Sequence, residues 1–290
     1  MKRFITAAIV ILSAVSCGKN GTDGVYISVD DTCWEYSTDT QVAWPCFIGE
    51  ETASLIVHNS EVDAFQVLNG TYTLDGHRVD ITAESSVRMI RTFSHLKNSS
   101  NKNYTRIRPS APESLEGSVW ATMKDGDFSF IYCRGDGSGF AGTYPNVNRK
   151  EGFPYGWNWE KNVYTASGTE FSSAAGSGIF YGNKFLVAEH VALPCISTVS
   201  DTDGDSPLKG TVWTYVSSGY PGFILFTSAT EFVRVLVTST VVFYVLKGEY
   251  SIKGNSLEFK TDSEELNKTC RISDGSFTYL DKTYSLVSSF

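Results

Sequence analysis

The residues of this chain best suited to chemistry by contact are aromatic. Thr143-Tyr144-Pro145 leads, through residues rich in Gly, Pro and Asn, to Phe153, Tyr155, Trp157 and Trp159. On a loop, these rings would present flat apolar faces of the kind that stack on sugars. The spacing also admits a packing role, because Trp157 and Trp159 stand two apart and would share the buried face of a strand. Nucleic-acid bases stack on such rings too, but phosphate binding needs a basic surface. Here the formal net charge is −8, and loss of Lys2 and Arg3 with a leader makes it more negative. Nucleic acid is therefore not an expected partner.

The other constellations are weaker. Asp201-x-Asp203-Gly204-Asp205 alternates carboxylates that could face one calcium ion, yet the twelfth position of such a loop, which should be a bidentate Glu, is Val212. Gly137-x-Gly139-x-x-Gly142 has the letters of a dinucleotide fingerprint. Thr143-Tyr144-Pro145 continues it as loop, whereas pyrophosphate binding requires a helix N-terminus. Arg134-Gly135-Asp136 spells an adhesion-type tripeptide. His58, His77, His95 and His190 are scattered, and Glu50-Glu51 and Glu264-Glu265 are adjacent, which does not make an acid/base pair. No nucleophile has an evident base. No metal, cofactor or catalytic residue is expected, and the chain reads as a non-enzyme. Beyond Cys17 the cysteines are Cys33, Cys46, Cys133, Cys195 and Cys270, without a Cys-x-x-Cys pair. Cys33 and Cys46 could close a short loop, and an odd number leaves at least one thiol free.

What must position these residues is a repeat. Gly210-Thr211-Val212-Trp213 and Gly117-Ser118-Val119-Trp120 are near copies, and Asp31-Thr32-Cys33-Trp34 is a worn third. Each is followed, at nearly constant distance, by Tyr-x-apolar-x-Gly-x-x-apolar: Tyr72 with Gly76, Tyr164 with Gly168, Tyr250 with Gly254. Two ordered phrases recurring three times indicate a tandem array. The second phrase is a β-hairpin, with Gly supplying the positive φ of its turn. The Trp is expected to plug the end of its module, its N–H bonded to a backbone acceptor. Apolar, β-branched and aromatic runs separated by short polar turns read as strands throughout, with no helical period. In the middle unit Asn183–Val187 looks like the counterpart of Lys102–Ile107 and Lys282–Val287, which close the others, though it arrives about a hairpin early. The expected fold is all-β: three tandem antiparallel β-meander modules at 25–108, 115–199 and 208–290, each a small barrel or sandwich. The sequence leaves open whether they are separate beads or share a sheet.

Two resemblances add to this. Leu12-Ser13-Ala14-Val15-Ser16-Cys17-Gly18 closes a leader of Lys2-Arg3 and an apolar run. It resembles the signal peptide of bacterial lipoproteins, which implies cleavage after residue 16 and acylation of Cys17. Residues 17–24 would then be a tether to a membrane, and Gly18 resembles the sorting position of lipoproteins sent to the outer membrane. Leu208-x-Gly210-Thr211-x-Trp213 and the run from Gly70 to Val79 resemble the lipocalin-like and META-type β domains of bacterial envelope lipoproteins. Ser177-Gly178-x-x-Tyr181 also resembles the short motif of periplasmic lysozyme-inhibitor lipoproteins. The function these imply is a non-catalytic envelope protein that binds a glycan or protein partner or serves as an accessory spacer. Tyr144, Phe153, Tyr155, Trp157 and Trp159 are the candidate ligand contacts. The alternative is a carrier of a small apolar ligand inside one module.

Overall fold

The computed structural model describes residues 26–84, 86–92, 94–145, 156–173, 176–188, 190–199, 204–217 and 220–287. The leader, Cys17 and the tether lie outside them. Twenty-four strands and one 3-10 turn (Glu264–Leu266) make up the secondary structure of the described residues. Eight strands belong to each repeat.

The first set is β1 (Thr32–Ser37), β2 (Gln41–Ile48), β3 (Thr52–Asn59), β4 (Ala64–Asp75), β5 (Arg78–Thr82), β6 (Ser86–Arg91), β7 (Leu96–Asn98) and β8 (Asn103–Ile107). It is an antiparallel meander closed by β8 returning to β1. The second is β9 (Val119–Lys124), β10 (Asp127–Cys133), β11 (Ser138–Tyr144), β12 (Asn158–Ser167), β13 (Glu170–Ser173), β14 (Gly176–Tyr181), β15 (Phe185–Ala188) and β16 (Val191–Ser197), again closed. The third is β17 (Val212–Ser217), β18 (Tyr220–Phe226), β19 (Glu231–Val237), β20 (Val242–Lys253), β21 (Ser256–Lys260), β22 (Lys268–Arg271), β23 (Ser276–Tyr279) and β24 (Lys282–Leu286). Its β24 returns to β17, but β22 and β23 share no ladder, so this barrel is open along one seam. The all-β, three-module expectation holds. Asn183–Val187 runs from the turn before β15 into that strand, and β16 follows it as the last strand of the middle unit, so the segment does come early.

The repeated phrases have a physical cause in each barrel. The residue three before each Trp is in the left-handed region: Asp31 at φ 52°, Gly117 at 71° and Gly210 at 75°. The worn copy keeps this geometry because Asp tolerates it. The residue two before the Trp supplies a hydroxyl. Trp34 Nε1 donates to Thr32 at 2.8 Å, Trp120 to Ser118 at 2.9 Å and Trp213 to Thr211 at 3.0 Å. Each hydroxyl in turn donates to a carbonyl five residues before the Trp, on Val29, Leu115 and Leu208. The indole acceptor is thus a side-chain hydroxyl and not the expected backbone oxygen. The repeated Tyr acts likewise: its hydroxyl donates to Gly49 O at 2.7 Å in the first barrel, to Arg134 O in the second and to Ser228 O at 3.0 Å in the third. Each acceptor lies in the turn between the second and third strands, so one phenol pins that turn to the hairpin beyond.

Four apolar cores result. Three fill the barrel interiors, around Trp34, Phe47 and Tyr72, around Trp120, Phe171 and Phe180, and around Trp213, Phe259 and Phe277. The fourth lies between the barrels and is built from outward-facing side chains of all three. Phe130 stacks on Phe223 (centroids 4.3 Å), joining the second and third barrels, and Phe65 stacks on Phe243 (5.5 Å), joining the first and third. At that second contact β4 pairs with β20 through Phe65↔Phe243, so the first and third barrels share one sheet. Strands of this face are buried on both sides, as in β18, whereas β21 alternates inward and outward.

Candidate functional site

The sequence-derived site is best judged by position. Phe65, Trp157 and Phe243 each stand seven residues before the repeated Tyr of their unit, so Trp157 is the middle barrel's version of the central contact. It meets Phe128 edge-on at 6.1 Å and stacks on Trp159 at 5.1 Å, and Trp159 meets Phe130 at 5.8 Å. Both indoles are half-buried against the central core, and Tyr144 is fully buried in it. This is the packing role the sequence left open, not a displayed stacking surface. Gly142 is needed for it: a Cβ there would lie 2.6 Å from both Phe130 and Trp159. Phe153 and Tyr155 lie outside the described residues. Gly137 and Gly139, the other glycines of the dinucleotide-like letters, serve a turn at φ 79° and a backbone approach to Tyr132. Asp201 and Asp203 lie outside the described residues, and among those described no cluster of His, Cys, Asp or Glu could hold a metal.

The structure brings together a different set. A groove of about 730 Å3 runs between the first two barrels. Its first wall is the β1–β2 end, with Asp31, Cys33, Phe47 and Ile48. Its second is the outer face of β12–β15. There Thr165, Ser172 and Ser177 face one another across three strands, a row of hydroxyls at the strand spacing of about 4.8 Å. The next row is Ser167, Glu170, Ile179 and Val187. The hydroxyl row is solvent-exposed, as is Ile179 at 44%. His190, held at φ 68°, stands at the rim.

The first two barrels also meet through polar contacts around Ala192 on β16. Asn69 Nδ2 donates to the Met123 carbonyl, Ala192 N donates to Ser54 Oγ at 3.1 Å, and Thr122 Oγ1 donates to the Ala192 carbonyl at 3.1 Å. Lys184 pairs with Glu35, which also accepts from Trp44 Nε1 at 2.7 Å. Burial raises the Glu35 pKa, but these two bonds outweigh it and hold the carboxyl below its ordinary value. Ser110, in the connection after β8, bridges Tyr181 and ties that segment to the second barrel.

This arrangement can hold a polar ligand by hydroxyl and carboxylate contacts over an aliphatic strip. No hydroxyl on it has a base beside it among the hydrogen-bonded pairs described. Of the inhibitor-like motif, Ser177, Gly178 and Tyr181 all line the groove, with Tyr181 largely buried and stacked on Phe185 at 4.8 Å. Sequence alone missed the groove, since its walls come from two repeats; the signal within reach was the density of Ser and Thr between Thr165 and Ser177. No protein-family model matches the chain, and no curated protein matches it in sequence.

Proposed function

We propose that the chain is a non-catalytic, lipid-anchored protein of the bacterial outer membrane that holds a glycan in the groove between its first two barrels. The observation that carries the glycan reading is the three-strand row of exposed hydroxyls, Thr165, Ser172 and Ser177, beside Glu170 and the exposed Ile179. Sugars offer alternating hydroxyl donors and acceptors with apolar C–H faces, which such a surface matches. The acidic wall groups Asp31 and Glu170 favour neutral or amino sugars over anionic ones. The carrier reading has less support, because each barrel interior is filled by aromatic side chains.

The anchor part of the reading rests on the leader and Cys17. Descent of the three barrels from the lipocalin-like and META-type domains of envelope lipoproteins belongs to the same proposal. A glycan array probed with the chain lacking its leader tests the ligand. Binding should fall at least about tenfold with Ser177→Trp, which fills the groove from an exposed position, as expected of a lost buried contact set. Undiminished binding in that variant, or no glycan bound at all, refutes it. Cys17→Ser should leave the membrane fraction; retention there would refute the anchor.

A further inference from the structure

Cys33 and Cys46 occupy one rung of the β1–β2 ladder, directly opposite each other. Both side chains are buried, at 2% and 0% exposure, and both belong to the central core, so they lie on the same outward face of the first barrel. The kind of rung follows from the hairpin end. Thr38 N donates to Gln41 O at 2.8 Å, which makes that rung a hydrogen-bonded pair. Rungs alternate along an antiparallel ladder. Counting back, the rung of Trp34 and Pro45 falls at a hydrogen-bonded position, although Pro45 has no N–H to donate, and Cys33 and Cys46 fall at a non-hydrogen-bonded one. At such rungs the Cα atoms stand only about 4.5 Å apart, inside the range of roughly 4.4–6.8 Å that a disulfide accepts. Both thiols are free, Cys46 Sγ donating to the Trp44 carbonyl at 3.9 Å, and the nearby Cys33 adds to burial in raising the Cys46 pKa.

We propose that Cys33 and Cys46 form a cross-strand disulfide, made by exchange with a low-molecular-weight or protein disulfide, and that the structure shows its reduced form. In the first step the Cys33 thiolate attacks the oxidant disulfide, forming a mixed disulfide and releasing one thiolate. The Cys46 thiolate then attacks the Cys33 sulfur and expels the second. The two cysteine protons pass to the released thiolates, so the oxidant disulfide is reduced to two thiols as one protein disulfide forms. In the folded chain Cys33 borders the groove but is only 2% exposed, and Cys46 is fully buried. Burial raises the Cys46 pKa well above its ordinary value, so exchange is slow in the folded chain and proceeds while β1 and β2 are still accessible during folding. The remaining three, Cys133, Cys195 and Cys270, are free, and Cys133 sits inside the second barrel. This inference does not depend on the glycan reading.

The experiment is refolding of the reduced, denatured chain in mixed oxidised and reduced glutathione, followed by alkylation and digestion without reductant. A protease cutting after acidic residues opens the loop at Glu35 and Asp39. The expected product is a Cys33 peptide linked to a Cys46 peptide, lighter by two hydrogens than the separate pair, with Cys133, Cys195 and Cys270 alkylated. Reductant should lower the urea midpoint of the refolded wild type and leave that of Cys46→Ser unmoved. Alkylation of both Cys33 and Cys46, glutathione left on either, or linkage of either to another cysteine overturns the proposal. If Cys46→Ser fails to fold, the wild-type peptide map alone decides.

Discussion

Thr32→Val keeps the shape of the side chain and deletes one hydroxyl at the entry of the first barrel. Thr32 is 3% exposed and Trp34 4%. The hydroxyl accepts the indole N–H at 2.8 Å and donates to the Val29 carbonyl, so the substitution removes a partner from two groups at once. An orphaned buried polar group costs about 1–3 kcal/mol, which puts the pair at roughly 2–6 kcal/mol. The lower part of that range, about 2–3 kcal/mol, is expected, because Trp34 borders an open depression with Ile27 and Tyr104 from which water can replace part of the loss. Thr32→Ser is the control: it keeps the hydroxyl and loses one methyl, about 1 kcal/mol. In urea, with a slope of about 2 kcal/mol per molar, the Val variant should unfold about 1 M earlier than wild type and the Ser variant about half that. The indole N–H resonance of Trp34 should shift in the Val variant alone. A Val variant at least as stable as the Ser variant would refute the hydroxyl relay as the reason for the repeated phrase.

Two further outcomes test the packing. Phe243→Ala empties a fully buried site that meets Phe65 at 5.5 Å and Phe128 at 5.4 Å, and should cost about 3–5 kcal/mol in urea unfolding; a loss under about 1 kcal/mol would mean that the central core is not packed as described. Burial pushes Tyr104, Tyr132 and Tyr279 up to about 12. A tyrosine in the unfolded chain titrates near pH 10, so between about pH 10 and 12 the unfolded state binds fewer protons and stability falls as pH rises. Their contribution is complete below about pH 10. Phenolate absorbance and circular dichroism should therefore change together in that window. Tyrosine ionisation completed before any loss of strand signal would contradict their burial.

Much of the fold could be read from local pattern. The Tyr-to-Gly hairpin is a two-residue turn, and Gly76, Gly168 and Gly254 all take φ near 56–59° as such a turn requires. The Ser or Thr two before each Trp was visible in the letters, although its partner was not, since a hydroxyl and a carbonyl are equal candidates until the indole is placed. Phe223–Phe226 was legible as a strand by its unbroken apolar run, and Phe232–Val235 by a run broken only by Arg234, yet such a run says only that both faces are covered, not by what. Trp157 and Trp159 stayed open between display and packing for the same reason. Gly, Pro and Asn upstream made them resemble a displayed loop, while their true neighbours, Phe128 and Phe130, lie on another strand and Phe223 on another barrel.

The chain order of apolar rows, turn glycines and paired hydroxyls by itself determined that three eight-strand meanders form, because those interactions close within a few residues or between neighbouring strands. Only the tertiary structure decided which outer faces meet, that Phe65 and Phe243 merge two barrels into one sheet, and that a hydroxyl-lined groove opens beside Cys33. Burial of an outward row is favourable against any complementary apolar surface; the particular match is set by long-range packing and interstrand register, which no local pattern encodes.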